Sequence, residues 1–251
     1  MRSRFSNLGE LVQTADGSAS LVHPKFDQAY HSLDGAKKEA QDLYVNASGF
    51  LSELDDSKSS EVRVLDVGLG LGYNALVTIE AWAKTSSSKN LNLVSLESNE
   101  DLFLALCSGE APWQSDWSSY WLDTVKTLDK QAADQWKATL KHPNSNFRCT
   151  WTVLLGNATT RSIVPSDVTN QLTSYDYIWQ DPFSPEMNPD MWSVPWFTGL
   201  AETANERTKL MTYSVSRKVK DALTGSGWGY SLIETTTSKR SWLKANIIKN
   251  G

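Results

Sequence analysis

A chain of 251 residues, 40% hydrophobic and 21% charged, is long enough for one substantial core and has an ordinary globular composition. No stretch reaches the roughly 18 apolar residues of a membrane-spanning helix, and the N-terminal Met1-Arg-Ser-Arg-Phe-Ser-Asn7 lacks a signal peptide's apolar core. A cytoplasmic protein with no membrane partner is therefore expected. The net charge of -5 is unevenly spread: from Arg207 onward nine Lys or Arg face two acids, which leaves a strongly acidic body. Such a basic end fits an anionic partner at one face, and equally an ordinary solvated surface. Cys107, Cys149, His23, His31 and His142 show neither a disulfide framework nor metal-ligand spacing, so reduced thiols and no metal are expected.

In chain order, residues 1–55 form an N-terminal extension punctuated by Asp16-Gly17, Pro24 and Asp34-Gly35, with a short helix expected over 35–44. His23, before Pro24, reads as a turn residue. Polar, Ser-rich residues 55–60 mark the boundary to a main domain, 56–251. Residues 62–66 read as a buried strand that runs into Gly68-Leu-Gly70-Leu-Gly72. A helix with Leu76, Ile79 and Ala83 on one face comes next. Further strands are expected over 91–97, 147–155, 175–180 and 209–214, with helical stretches between most of them. This alternation predicts an α/β fold: a Rossmann-like, mainly parallel, doubly wound sheet flanked by helices. The segment 101–146 is too long for one connection. It contains Trp113, Trp117, Trp121 and Trp136 and is expected to be an insert of two or three helices. Its tryptophans suit an aromatic core that fastens the insert, or alternatively a lid or a platform for a base.

The first chemical signal is the turn after residues 62–66. Glycine lets the backbone turn sharply and approach a ligand, and the amides at the following helix start favour negative charge. The spacing is not the dinucleotide pattern G-x-G-x-x-G. Asp66-x-Gly68-x-Gly70-x-Gly72 instead resembles the first motif of S-adenosylmethionine methyltransferases. Glu97, ending the second strand, is placed to bind two ribose hydroxyls. Gly225, Gly227 and Gly229 have the same spacing but follow a helix and precede a strand, so they read as a loop. The second signal is Asp181-Pro-Phe-Ser-Pro185, beyond the fourth strand, where open α/β sheets bind ligands. It resembles the acid-Pro-x-aromatic signature of enzymes that methylate amino groups. A carboxylate there can hold an amine in line with a methyl donor and relay its proton; a proline-rich turn with a capping Asp is the plainer alternative. His31 reads as a residue bonded within the N-terminal segment, or else as a general base.

The run Asp181-Pro-Phe-Ser-Pro-Glu-Met-Asn-Pro-Asp-Met-Trp192 resembles the signature of the methyltransferase domain of the MnmC family, which modifies the wobble uridine of tRNA. Other pieces agree in order: Tyr30-His31-Ser32 with Gly35-Ala36 and Glu39, residues 66–74, Thr212-Tyr213-Ser214 with the helix 217–223, and Ser238-Lys239-Arg240 with Leu243 and Ala245. The resemblance spans about residues 13–247. It implies methylation of the primary amine of a 5-aminomethyl group on uridine, often 2-thiouridine, with S-adenosylmethionine as cofactor. It also implies a stand-alone form without the family's flavin-dependent oxidase domain, and hence no flavin. Asp181 is the implied catalytic residue. Asp66, Gly68, Gly70, Gly72, Asn74, Glu97, Asn157, Ala158 and Tyr30 are the implied cofactor contacts, and the segment around Tyr30 and His31 is expected to close over the site. Phe183, with Arg217, Lys218, Lys239 and Arg240, is expected to meet the tRNA substrate.

Two positions depart from the family pattern. Asn157 follows Gly156 where the family has Asp, so it would accept from the adenine amino group without charge assistance. Pro182 stands where Gly is common and removes a backbone donor. These departures keep open methylation of another amine, on a small molecule or a different RNA. A non-catalytic descendant that binds RNA or cofactor is a further alternative, against which Asp181 and Glu97 count. There is no G-x-S-x-G elbow to support hydrolase chemistry, and the glycine spacing disfavours a nicotinamide dehydrogenase.

Overall fold

The computed structural model describes residues 5, 7–55, 59–86, 89–165, 174–235 and 241–248. A small antiparallel sheet of β1 (Glu10–Gln13), β2 (Ala19–His23) and β3 (Gln28–Ala29) opens the chain. The β1–β2 turn is pinned by Asp16, whose Oδ1 accepts from the hydroxyls of Thr14 and Ser18 at 2.7 and 2.6 Å. Helix α1 (Ala36–Glu39) widens directly into a π-helical segment, Ala40–Asn46, and α2 (Phe50–Asp55) follows. The helix expected over 35–44 is therefore present but changes pitch. Leu43, Tyr44 and Val45 are buried in succession, a broader buried face than a regular α-helical stripe gives.

The main sheet is built from β4 (Glu61–Val67), α3 (Tyr73–Lys84), β5 (Asn90–Glu97), α4 (Glu100–Ser108), α5 (Ser119–Lys126), β6 (Asp129–Ala132), β7 (Gln135–Lys141) and β8 (Arg148–Leu155). It is completed by β9 (Tyr177–Gln180), α6 (Val194–Glu202), β10 (Lys209–Thr212), α7 (Arg217–Gly225), β11 (Trp228–Glu234) and β12 (Ser241–Ile247). The strand order is β11-β12-β10-β9-β4-β5-β8-β7-β6. Neighbours from β8 through β5, β4 and β9 to β10 pair in parallel, and antiparallel strands close both flanks. The five strands expected from sequence are these five parallel ones. The chain moves outward from β4 through β5 to β8, then returns to β9 on the other side of β4. The switch point thus lies between β4 and β9, where ligands of such sheets bind.

The insert corrects the expectation of helices throughout 101–146. Its first half is helical, α4 and α5 with a 3-10 turn at Pro112–Gln114. Its second half is the hairpin β6–β7, which pairs β7 against β8 and extends the sheet. Trp136 is on β7, and Trp117 precedes the Ser118 cap of α5. Trp113 and Trp121 are nonetheless buried, and the Trp117 and Trp121 rings meet edge-to-face at 5.3 Å. One face of the sheet packs against α3, the π-helical segment and the insert through Tyr44, Trp82, Trp121, Trp151 and Trp179. The other packs against α6 and α7 through Trp192, Phe197, Leu223 and Trp228. Trp196 and Phe197 are also buried here, and neither is among the residues lining the two cavities that flank Asp181. Each large side chain so buried contributes about 1.5–3 kcal/mol or more.

Candidate functional site

At the switch point, the turn after β4 abuts the loop after β9. Gly68 has φ +89°, and a Cβ there would sit 2.9 Å from the Asp181 carbonyl oxygen. Only glycine lets the two loops meet this closely. Beside them opens a cavity of about 450 Å³ whose lining includes Gly68, Gly70, Glu97, Asn157, Ala158 and Asp181. Its lid comes from the N-terminal sheet. His23, Phe26 and Tyr30 each set a ring 4.8–5.2 Å from the Phe183 ring, and Gln28 Nε2 donates to Ser184 Oγ at 3.0 Å.

Glu97 is fixed by its neighbours. Its Oε2 accepts from Gly70 N at 2.8 Å and its Oε1 from Asn99 N at 2.7 Å. Burial raises its pKa, and the Asn99 and Gly70 amides work against that rise. Each carboxylate oxygen retains a lone pair for a ligand hydroxyl. Tyr30 faces this group: burial and then the Glu97 charge push its hydroxyl pKa up, against a hydrogen bond from Asn99. Asn99 also caps α4 through Leu102 N.

Several expected contacts take other places. Asp66 is fully buried and does not line the cavity. It points into the sheet's packed face, where Ser95 Oγ donates to Asp66 Oδ2 at 2.8 Å and Trp151 Nε1 donates to Ser95 Oγ at 3.0 Å. Burial pushes the Asp66 carboxyl up to about 8, with the Ser95 hydrogen bond opposing. Gly72 caps α3 and packs on Leu106 without reaching the cavity. Asn74, also buried, donates from Nδ2 to Asp181 Oδ2 at 2.7 Å, so it holds the acid beyond β9. Asn157 lines the cavity, but both lone pairs of its Oδ1 are taken by Thr159 N and Oγ1, at 3.0 and 2.8 Å. Its amide nitrogen is then the atom that can meet a ligand. Lys25 and Phe26 also line the cavity and had no signal in the sequence, while Asn188 and Met191 line it from within the run that begins at Asp181, where no role was assigned to them.

The loop after Asp181 is pinned along its length. Tyr213 Oη donates to the Pro182 carbonyl at 2.9 Å, Trp192 Nε1 to the Phe183 carbonyl at 2.8 Å, and Gln180 Nε2 to the Met191 carbonyl at 2.7 Å. Trp196 Nε1 in turn donates to Gln180 Oε1 at 3.1 Å. Pro182 lacks a donor but its carbonyl is used. A second cavity, of about 240 Å³, shares the Tyr30, His31, Asp181, Pro182 and Phe183 walls and adds Glu39, Ser184 and Tyr213. Asp181 therefore stands between two cavities. His31 packs edge-on against Tyr73 at 5.0 Å.

Of the expected cationic contacts, Arg217 and Lys218 are exposed in the first turn of α7, just past the carboxyl end of β10. Lys239 and Arg240 lie outside the described residues. Among the described residues no group of three or more His, Cys, Asp and Glu side chains is placed to hold a metal ion, and no helix is long and apolar enough to cross a membrane. Cys107 and Cys149 are both free thiols, and burial pushes Cys107 up to about 12.

A parallel core with a glycine turn, an acid ending the neighbouring strand and a ligand-sized cavity at the switch point defines a Rossmann-like, nucleoside-binding α/β protein. Residues 122–247, half of the chain, match the S-adenosyl-L-methionine-dependent methyltransferase family, and the chain belongs to it. S-adenosylmethionine is accordingly its cofactor. The tRNA 5-methylaminomethyl-2-thiouridine biosynthesis bifunctional protein MnmC of Burkholderia mallei (strain NCTC 10229) is 27% identical over 238 residues, covering 93% of this chain and 34% of that protein. The corresponding protein of Burkholderia pseudomallei (strain 668) is 28% identical over 242 residues, with the same coverage. The chain thus spans about a third of the length of these curated relatives. Among solved structures, MNMC2 from Aquifex aeolicus has the same fold, with a TM-score of 0.74, 24% identity, and coverage of 94% of this chain and 69% of that one. The cavity fits the cofactor: Gly70 presents left-handed backbone (φ +53°) to its wall, and Glu97, held by the Gly70 amide, offers a fixed carboxylate to vicinal hydroxyls.

Proposed function

We propose that this chain transfers a methyl group from S-adenosylmethionine to the primary amine of a 5-aminomethyl group on the wobble uridine of tRNA. The product is a 5-methylaminomethyl group, on uridine or 2-thiouridine. The observation that carries the reading is the position of Asp181, on the wall common to the two cavities and tied to Asn74. The curated relatives, named for the biosynthesis of tRNA 5-methylaminomethyl-2-thiouridine, support the acceptor class.

In this reading Glu97, Gly68, Gly70, Ala158 and the Asn157 amide hold the cofactor in the larger cavity, with Tyr30 as part of its lid. The cofactor supplies an electrophilic methyl on a sulfonium. Asp181 accepts hydrogen bonds from the acceptor nitrogen and keeps its lone pair aimed at that methyl; such alignment accounts for much of the rate of a displacement. Phe183 and its aromatic neighbours exclude water from the junction. Arg217 and Lys218 meet backbone phosphates outside the mouth, so the tRNA is gripped by charge and read by the pocket.

The test is methyl transfer from labelled S-adenosylmethionine to tRNA carrying 5-aminomethyluridine, with unmodified tRNA as control. Label recovered as 5-methylaminomethyluridine, and only from the aminomethyl tRNA, is the expected result. Cofactor binding without any transfer to that tRNA would move the acceptor elsewhere.

A further inference from the structure

The smaller cavity carries a charge pattern that Asp181 alone does not explain. Glu39 lines it together with Asp181, and no lysine or arginine is among its lining residues. Its remaining walls combine the rings of Tyr30, Phe183, Tyr213 and His31 with the polar side chains of Gln28, Ser32 and Ser184. Both carboxylates act on one pair of tyrosines. Burial raises the hydroxyl pKa of Tyr44 and of Tyr213 most; Asp181 comes next, by charge and a hydrogen bond at Tyr44 and by charge at Tyr213, and the Glu39 charge follows in both. Tyr44 is buried, and the Tyr213 hydroxyl is committed to the Pro182 carbonyl. Glu39 ends α1 where the helix widens to π pitch, a change of pitch frequent at functional sites. Two carboxylates framed by aromatic rings are the recognition chemistry of an organic ammonium ion.

We infer that Glu39 is the specificity-determining residue of the acceptor cavity, selecting a primary ammonium group over a neutral one and taking its proton before methyl transfer. The inference rests on the proposed amine methylation and adds the second carboxylate to it. The steps balance. The ammonium N–H bond breaks and its proton passes to the Glu39 carboxylate, which leaves a lone pair on nitrogen. That lone pair forms the new N–C bond while the sulfur–methyl bond breaks. The departing electron pair stays on sulfur as a neutral thioether, and the product nitrogen is a secondary ammonium. Asp181 holds the nitrogen in line throughout; Glu39, which is only partly buried, passes the proton to solvent.

The experiment uses the full chain saturated with S-adenosylhomocysteine and two free nucleosides, 5-aminomethyluridine and its neutral counterpart 5-hydroxymethyluridine, titrated by calorimetry. The wild type is expected to prefer the aminomethyl compound by about tenfold or more. In Glu39→Gln that preference collapses, while affinity for S-adenosylhomocysteine stays within a few-fold because Glu39 does not line the larger cavity. Glu39→Asp recovers part of the preference, which separates a charge effect from a folding defect. On aminomethyl tRNA, Glu39→Gln raises KM and lowers kcat together. Equal binding of both nucleosides, or of neither, by the wild type overturns the inference, as does an unchanged preference in Glu39→Gln. If the wild type shows the Glu39-dependent preference yet transfers no methyl group to aminomethyl tRNA, the tRNA reading fails and the ammonium site stands.

Discussion

Asn74 shows how a position can match a motif and do a different job. It follows the last glycine of the turn, where a cofactor contact is expected, yet it is buried and spends its amide on Asp181 Oδ2 at 2.7 Å. The bond fixes one carboxylate oxygen, so the other is oriented without losing side-chain entropy at the moment of reaction. In the proposed reaction Asp181→Ala removes the group that aligns the acceptor nitrogen, and methyl transfer should fall by about 10²–10⁴-fold. Asn74→Ala leaves the acid in place but loosens it, and kcat should fall by about 10- to 100-fold. In both variants affinity for S-adenosylhomocysteine, measured by titration, should stay within a few-fold, because the Glu97 side of the cavity is untouched. Normal turnover in Asp181→Ala would remove it from the mechanism. Weakened cofactor binding in Asn74→Ala would restore Asn74 to the cofactor cavity.

Among elements, the contact between the turn after β4 and the loop after β9 lies where the larger cavity meets the smaller one. Two glycines separate backbone strain from close approach. Gly227 has φ +82° with nothing within 4 Å of an added Cβ, whereas Gly68 has φ +89° and the Asp181 carbonyl oxygen at 2.9 Å. Gly227→Ala should cost about 1 kcal/mol, the strain alone. Gly68→Ala should cost about 2–4 kcal/mol in denaturant titrations and also depress kcat, since Asp181 must shift. Equal losses would mean that the two loops move apart without penalty. The parallel strands were legible because short apolar runs, Val-rich in β4 and Leu-rich in β5, have a clear signature between polar loops. Hairpin β6–β7 was not. Asp129-Lys-Gln-Ala132 is exposed throughout and rich in residues that also suit helices, and its strand state comes from pairing at the sheet edge. The lid residues Lys25 and Phe26 reach the cavity only through tertiary folding of the N-terminal sheet, which no local pattern records. Asp66 was read from its place in a motif, but which face of β4 carries it decides its role, and that face is the packed one.

On the scale of the whole molecule, the proposed function requires an acidic body to admit a polyanion to a cavity lined by carboxylates. The arrangement separates the two tasks. The acidic groups, Asp181 and Glu39, line the smaller cavity, where the proposed reaction would set them against an ammonium. Arg217 and Lys218 stand exposed on α7, whose first turn follows the carboxyl end of β10, the same edge of the sheet as the cavities. The link is short: Tyr213, four residues before Arg217, bonds the Pro182 carbonyl. Arg217 has a loose partner in Asp221 at 3.5 Å, both largely exposed, so little stability rides on that pair. The double variant Arg217→Ala with Lys218→Ala should therefore fold normally and bind S-adenosylhomocysteine normally, while its KM for aminomethyl tRNA rises. Each lost phosphate contact removes about 0.7–0.9 from the slope of log affinity against log salt. The double variant should thus flatten the slope by about one to two, and its deficit against wild type should shrink as salt is raised. An unchanged slope would mean that tRNA approaches from another face. A flattened slope with kcat nearly preserved would place phosphate grip on α7 and chemistry in the cavity as separable functions of one edge of the sheet.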